Sequence, residues 1–367
     1  MIEQDKWLVP YGNGGGVGYT RAVDRVVLVV VHSVAAGQRL ADAVSAVEEA
    51  ASIQVVFTRP PGPHGDGVGD FLRSAAVLET SWQQAVRERF DLVVSASPTG
   101  IGVLDAPVLL LLGGTASGRL VDHQGRSGVA AIRRLLGRGG DPLLVGLPHR
   151  DDVEVVREDF PDIGRQAIVV GDPSFDRLVH MAGRREAVRA ELGVQPHGRV
   201  GVVLSSRGPE SLFGRSHDLL ARIGRSRRGQ ADRLFCQLHP DVWVGHGRRQ
   251  VLAWSAAARR AGLVIVPPWR DWLDALIAAD YVVGDHGVVT CYAAALGKPV
   301  LLAHPADRWP TDAVLHGLPV LDPSKKLYAQ LAAITGTRPR YHQITSAPHR
   351  SSALLRSAFR RLLKYQV

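Results

Sequence analysis

Two short stretches in the second half of the sequence carry residue types that handle phosphate. Leu238-His239-Pro240 follows an apolar run directly, and Tyr281-Val282-Val283-Gly284-Asp285-His286-Gly287 is an apolar run that breaks into a turn. Histidine donates to phosphate oxygens without a metal, and it also takes up and releases protons near neutral pH. Gly287 lets a ligand approach the backbone. The segment Val288–Leu296, closed by Gly297 and Pro299, reads as a helix whose first N–H groups and positive dipole end suit an anion. Thr290 adds a hydroxyl to the first turn. Asp285 would repel a pyrophosphate, so it caps the helix, orients a histidine or accepts a bond from a ligand hydroxyl. A third stretch, Ser205-Ser206-Arg207-Gly208-Pro209-Glu210, ends another apolar run with small residues and one arginine; it either lines the same region or is a plain loop. Each histidine alone is as readily structural, and it is the coincidence of His239, His286 and Asp285 that marks a site. A His/His/Asp metal centre would lack the usual ligand spacing, so no metal is expected.

These groups need strands to carry them. Short β-branched runs alternate with helical stretches through the chain. Arg25–Val31, Ile53–Thr58, Asp91–Ser95, Pro107–Leu112, Leu143–Leu147 and Ala167–Val170 read as strands of a first half. Arg199–Ser205, Arg233–Leu238, Leu263–Val266, Tyr281–Val283 and Pro299–Leu302 read as strands of a second. Helices are expected near Gln38–Ala51, Pro209–Ile223, Arg248–Ala261, Asp271–Ala279 and Val288–Leu296. Buried runs separated by helices mark doubly wound parallel sheets, in which ligands bind beyond the carboxyl ends of the strands. The fold class is therefore α/β, with two Rossmann-like domains and a cleft between them, an N-terminal domain over 1–165 and a C-terminal one over 166–345. The final segment, 346–367, carries Leu354/Leu355, Ala358/Phe359 and Leu362/Leu363 at helical spacing, with Arg356, Arg360, Arg361 and Lys364 on the other faces. It is a basic amphipathic helix that packs on the protein body or touches an anionic membrane surface.

Composition narrows the class. Among 367 residues the apolar share is 46% but the aromatic share only 6%, which favours parallel sheets under Ala- and Leu-rich helices over a β-sandwich. Lys and Arg number 44 against 35 Asp and Glu, a formal charge of +9, which suits anionic partners. No basic run with interleaved aromatics and no helix-turn-helix points to nucleic acid. Cys236 and Cys291 lie in core-like segments and read as small buried apolar residues. The longest apolar runs, Val26–Val31 and Pro107–Leu112, fall far short of the roughly 20 residues of a membrane span. The polar start, Met1–Pro10, lacks a leader pattern, so a cytoplasmic location is expected. The Gly-rich stretch Tyr11–Gly18 precedes the first strand and lacks a following Lys-Ser/Thr pair; it reads as a loop rather than a phosphate cradle.

Several blocks, in order, resemble the CDP-glycerol glycerophosphotransferase family, the teichoic-acid polymerases and their actinobacterial relatives. They are Gly171-Asp172-Pro173 with Asp176-Arg177-Leu178, then Gly208 to Gly214, then His239-Pro240 with Trp243 and His246-Gly247, and finally Asp285-His286-Gly287 with Val289-Thr290 and Tyr292-Ala293-Ala294-Ala295. The likeness covers roughly residues 165–305. It implies a GT-B fold, with a nucleotide-activated donor held by the C-terminal domain, a final helix crossing back to the first domain, no cofactor and no bound metal. It further implies that His239 and the turn Asp285, His286, Gly287, Val288, Thr290 hold the donor's diphosphate and glycerol; Ser205, Ser206 and Arg207 are candidates for the same donor site by their place at a strand end alone. The sequence departs from that pattern in three places. Gly113-Gly114 stands where the family places a His-Gly pair, Val288 stands where it tends to carry Ser, and the turn at Ser205-Ser206-Arg207 is one residue shorter. A base then comes from elsewhere: His32 ends the first strand, as in many GT-B glycosyltransferases, and His123 is a weaker candidate. Three functions fit: transfer of a glycerol-phosphate-type group from a CDP-activated donor to a hydroxyl acceptor, a nucleotide-sugar glycosyltransferase or epimerase, and a non-catalytic ligand-binding descendant of such an enzyme.

Overall fold

Val27 and Val29 face one side of the first strand and Leu28 and Val30 the other, and all four are closed to solvent. Leu28 and Val30 pack with Ile132 and Val145; Val27 and Val29 pack with Leu40, Leu109 and Phe359. A strand covered on both faces has no polar side to alternate with the apolar one, which is why its sequence is a continuous run. A computed structural model describes residues 23–50, 52–62, 65–113, 120–137, 142–216, 218–226, 231–305 and 313–363. Tyr11–Gly18, Gly114, Lys364 and the His123 side chain lie outside the described residues; the backbone of His123 falls in the helix Leu120–Leu136.

The first sheet holds β1 (Arg25–Val30), β2 (Ile53–Thr58), β3 (Leu92–Ser95), β4 (Val108–Leu111), β5 (Leu143–Leu147) and β6 (Ala167–Val169), in the order β2-β1-β3-β4-β5-β6. Every pairing is parallel. Because β6 pairs with β5, Val145 opposite Ala167, the first sheet extends past residue 165. The second sheet holds β7 (Val200–Ser205), β8 (Arg233–Leu238), β9 (Leu263–Val266), β10 (Tyr281–Gly284) and β11 (Val300–Leu302), in the order β11-β10-β7-β8-β9 and again parallel. Strand order reverses between β1 and β3 in the first sheet and between β7 and β10 in the second. These are the topological switch points, where flanking connections diverge and leave a crevice.

Three helices differ from the expected bounds. The helix after β1 begins at Val34, ahead of the expected Gln38, because Ser33 caps it and its Oγ accepts from Ala36 N–H at 3.2 Å. The expected Pro209–Ile223 helix is two, Leu212–Arg215 and Leu219–Arg225. The expected Arg248–Ala261 helix does begin after Gly247, whose φ of +74 breaks Pro240–Trp254 into two helices, but an unexpected helix from Pro240 precedes it and its last part is a separate helix, Ala256–Arg260. The final helix, Ser351–Leu363, lays Leu355, Ala358, Phe359 and Leu362 onto the first domain's core. Its entry is fixed by Asp176, whose carboxylate accepts from the backbone N–H groups of His349 at 2.8 Å and Ser351 at 2.9 Å. No described helix is long and apolar enough to cross a membrane.

Candidate functional site

At the second switch point β7 ends in Ser205 and β10 runs into Asp285. Beyond those ends the backbone N–H groups have no ladder partner, and a buried donor left unpaired costs about 1–3 kcal/mol. Asp285, 2% exposed, supplies the acceptors. Its carboxylate takes Ser206 N–H at 2.9 and 3.0 Å, Leu212 N–H at 2.8 Å and Gly287 N–H at 3.1 Å, with the Ser205 hydroxyl at 3.4 Å. A carboxylate is acceptor-only, which suits a point where three backbone donors converge. Asp285 thus fastens the loop after β7 to the turn after β10.

This fastening arranges the remaining polar groups. Ser206 Oγ lies 3.0 Å from His286 Nε2. The loop turns back at Gly208, whose φ of +86 disfavours any residue with a Cβ, and Phe213 N–H donates to Ser205 Oγ at 3.0 Å. On the neighbouring loop His239 N–H donates to the Ser205 carbonyl at 2.9 Å. His239 caps its helix, with Nδ1 accepting from Asp241 N–H at 3.1 Å. A neutral imidazole that accepts at Nδ1 carries its proton on Nε2, which makes Nε2–H the donor of this ring. Arg207, 68% exposed, bonds the Asp241 carboxylate at 2.6 Å.

The helix Val288–Ala295 starts at Gly287 with no side-chain cap, so its first N–H groups depend on other partners. Val288, at its first turn, is exposed. Thr290 differs from the sequence expectation: it is closed to solvent and packs under Gly284, where a Cβ would meet its Oγ1 at 2.4 Å. Its hydroxyl lies beneath the turn, because the third helical position here points back under the strand end.

His304 was missed in the sequence reading. It follows β11, and its Nε2 lies 3.4 Å from Ser216 Oγ. Burial holds its imidazole below the ordinary value; Arg215 and His286 add to this, and Asp285 and Glu210 oppose it. The signal was available, since Ala303-His304-Pro305 repeats the strand-His-Pro form of Leu238-His239-Pro240. Among the described residues no group of three or more His, Cys, Asp or Glu side chains is placed to hold a metal ion.

At the first switch point His32 follows β1 and Thr99 lies in the loop after β3. The His32 Nε2–H donates to the Thr99 carbonyl at 2.7 Å, and Nδ1 is buried without a hydrogen-bond partner. Nδ1 is then the basic nitrogen. Burial holds this imidazole below its ordinary 6.5, against the opposing backbone of Thr99 and Val30. The folded protein therefore keeps His32 neutral while the unfolded chain takes up a proton near pH 6.5. Its stabilising contribution is full above that pH and is lost as pH falls through the folded-state value. Urea unfolding from about pH 8 to about pH 5 is expected to fall more steeply in the wild type than in His32→Gln; parallel curves would refute this placement of the proton.

The two domains meet beside both sites. Gln38 Nε2 donates to the Pro268 carbonyl at 3.2 Å, and Gly67 packs against Val244. Arg177 pairs with Asp42 at 2.9 Å and also with Asp271. At the end of β4, Gly113 faces the Arg39 guanidinium, where a Cβ would come within 2.6 Å of Nη1.

No protein-family model matches the sequence, and no curated protein matches it. Solved structures do match over nearly the whole chain. The wall teichoic acid polymerase TagF aligns with a TM-score of 0.61 at 14% identity, covering 94% of this chain and 90% of that one. The UDP-GlcNAc 2-epimerase of Methanocaldococcus jannaschii aligns at 0.56 and 13% identity, covering 93% and 99%. Anabaena HepE in complex with UDP-glucose aligns at 0.52 and 13% identity, covering 93% and 100%. At such identities the likeness establishes the fold, which is GT-B: two Rossmann-like domains, a cleft between them and a final helix that crosses back to the first.

Proposed function

We propose that this protein is a transferase that binds a nucleotide-diphosphate donor at the β7/β10 switch point and moves a glycerol-phosphate-type group from a CDP-activated donor to a hydroxyl acceptor. The observation that carries the reading is the Asp285 hub, which gathers Ser206, His286 and the open helix start at Gly287, with His239 on the adjoining loop. These are donors of the kind that hold a diphosphate. His32 takes the proton of the acceptor hydroxyl, the acceptor oxygen bonds to phosphorus, and the phosphoanhydride bond breaks, releasing CMP. His239 Nε2–H and the helix start at Gly287 stabilise the added charge on the phosphoryl oxygens. Asp285 holds the donors in place. Arg356, Arg360 and Arg361 form an exposed basic face on the final helix that suits an anionic membrane surface near such an acceptor.

A second reading, a nucleotide-sugar glycosyltransferase or epimerase, is favoured by the fold likeness to the UDP-GlcNAc 2-epimerase and HepE structures, whereas Gly113, where the resembling family carries histidine, favours a ligand-binding descendant. Calorimetry with CDP, CMP, CDP-glycerol, UDP and UDP-sugars separates the two. CDP ligands are expected to bind best, and His239→Ala to weaken them about 10- to 100-fold, the worth of one charge-assisted hydrogen bond. Preference for UDP ligands would transfer the assignment to the second reading. Tight binding without turnover of any donor would make the protein a ligand-binding descendant, and no binding at all would refute the site.

A further inference from the structure

Arg39, Asp172 and Tyr292 come from three separate elements and meet at the junction of the domains. Arg39 lies on the helix Val34–Glu48 and donates through Nη2 to the carbonyl of Leu111, the last residue of β4, at 2.6 Å. Asp172 caps the helix Pro173–Met181 at the crossing between domains, with Oδ1 accepting from Phe175 N–H at 2.9 Å. Its Oδ2 accepts from the Tyr292 hydroxyl at 2.5 Å. Tyr292 belongs to the helix that starts beside Gly287, so it is rigidly joined to the donor-side turn. Its ring packs at a tilt against Phe175, 5.2 Å away, and Trp272, 5.7 Å away.

Asp172 and Tyr292 are buried, and the Nε of Arg39 is buried without a hydrogen-bond partner. Burial pushes the Tyr292 hydroxyl well above its ordinary value, so it keeps its proton and donates. Arg39 and Asp172 line one cavity of about 20 Å³ together with Gly113 and Pro148; burial pushes the Asp172 carboxyl up and the Arg39 guanidinium down, and their mutual attraction opposes both. Removing one partner of a buried charge leaves the other uncompensated, so the guanidinium depends on the Asp172 carboxylate staying in place. Moving the helix at Gly287 therefore moves the counter-charge that holds the end of β4.

We propose that Arg39, Asp172 and Tyr292 form one positioning relay that transmits the state of the donor-side turn at Gly287 to the end of β4 in the other domain. Its coupling to donor rests on the nucleotide-binding reading above; its mechanical link does not. The test is hydrogen exchange on the full chain, following the Leu112 amide, which donates to the Gly146 carbonyl at 3.0 Å, against the β1 amides as reference. Without ligand, Tyr292→Phe is expected to speed Leu112 exchange about tenfold relative to β1, although the change lies in the other domain; an unchanged ratio overturns the relay. Arg39→Lys, which keeps the charge but not the fork, is expected to do the same and provides a second variant. With CDP-glycerol added, the wild type is expected to slow at Leu112 and Tyr292→Phe to respond several-fold less; equal responses overturn the proposal. If the wild type binds no CDP-glycerol, the donor reading fails, and the ligand-free comparison still decides the link.

Discussion

Replacing Asp285 by alanine is expected to lower the unfolding free energy by about 4 kcal/mol or more and to abolish nucleotide binding. The carboxylate accepts from three backbone N–H groups, on Ser206, Leu212 and Gly287. Alanine leaves all three without their acceptor in a place where Asp285 itself is only 2% exposed. Each such donor costs about 1–3 kcal/mol, with partial relief as water enters the opened turn. The loop carrying Ser206 and the turn carrying His286 then separate, and the donors proposed to hold a diphosphate no longer converge. Asp285→Asn keeps one acceptor oxygen but turns an amide N–H₂ toward N–H groups, so it is expected to fall between the two. Urea unfolding with calorimetry on the same samples checks both effects. A folded Asp285→Ala protein of near wild-type stability that still binds nucleotide would contradict the hub.

Placing a histidine at position 113 is the second expectation. In the resembling family a histidine at this strand end is the presumed base, so Gly113→His tests whether a base here can act beside His32. The structure argues against it. A Cβ at Gly113 would sit 2.6 Å from Arg39 Nη1 and 3.4 Å from its Cζ. Arg39 is fixed by its bond to the Leu111 carbonyl and by the attraction of Asp172. Gly113 is exposed and the group it meets is the far end of a flexible side chain, so displacing Arg39 gives up its Leu111 bond and part of its attraction to Asp172, and the variant is expected to lose about 1 kcal/mol of stability. Nucleotide affinity, proposed to be set at the Asp285 turn of the other domain, should change less than threefold. A stable Gly113→His protein with raised transferase activity would show that the Arg39 side of the cleft yields easily.

Much of the fold was legible because burial on both faces writes itself into local sequence. All eleven described strands coincide with an apolar run to within about one residue. Placing His239 and Asp285 at strand ends needed only those runs and the rule about carboxyl ends. Helix starts were harder. Val34 depends on the Ser33 cap, and the start at Pro240 depends on the His239 imidazole accepting from Asp241, each a single side-chain bond that the apolar pattern does not register.

The site itself was decided by tertiary structure. The donors to Asp285 at Ser206 and Leu212 lie 79 and 73 residues earlier in the chain, and they meet it because strand order places β10 beside β7. Thr290 has the residue type and spacing of a phosphate ligand, yet helix geometry turns it beneath Gly284. Tyr292 and Asp172, 120 residues apart, join only when the second domain folds against the crossing segment. The sequence by itself determined which segments are strands, since that follows from how each residue's neighbours must be buried. Which polar groups face one another depended on sheet order and domain packing, because a buried charge is satisfied by whatever the fold brings near it, however distant in the chain.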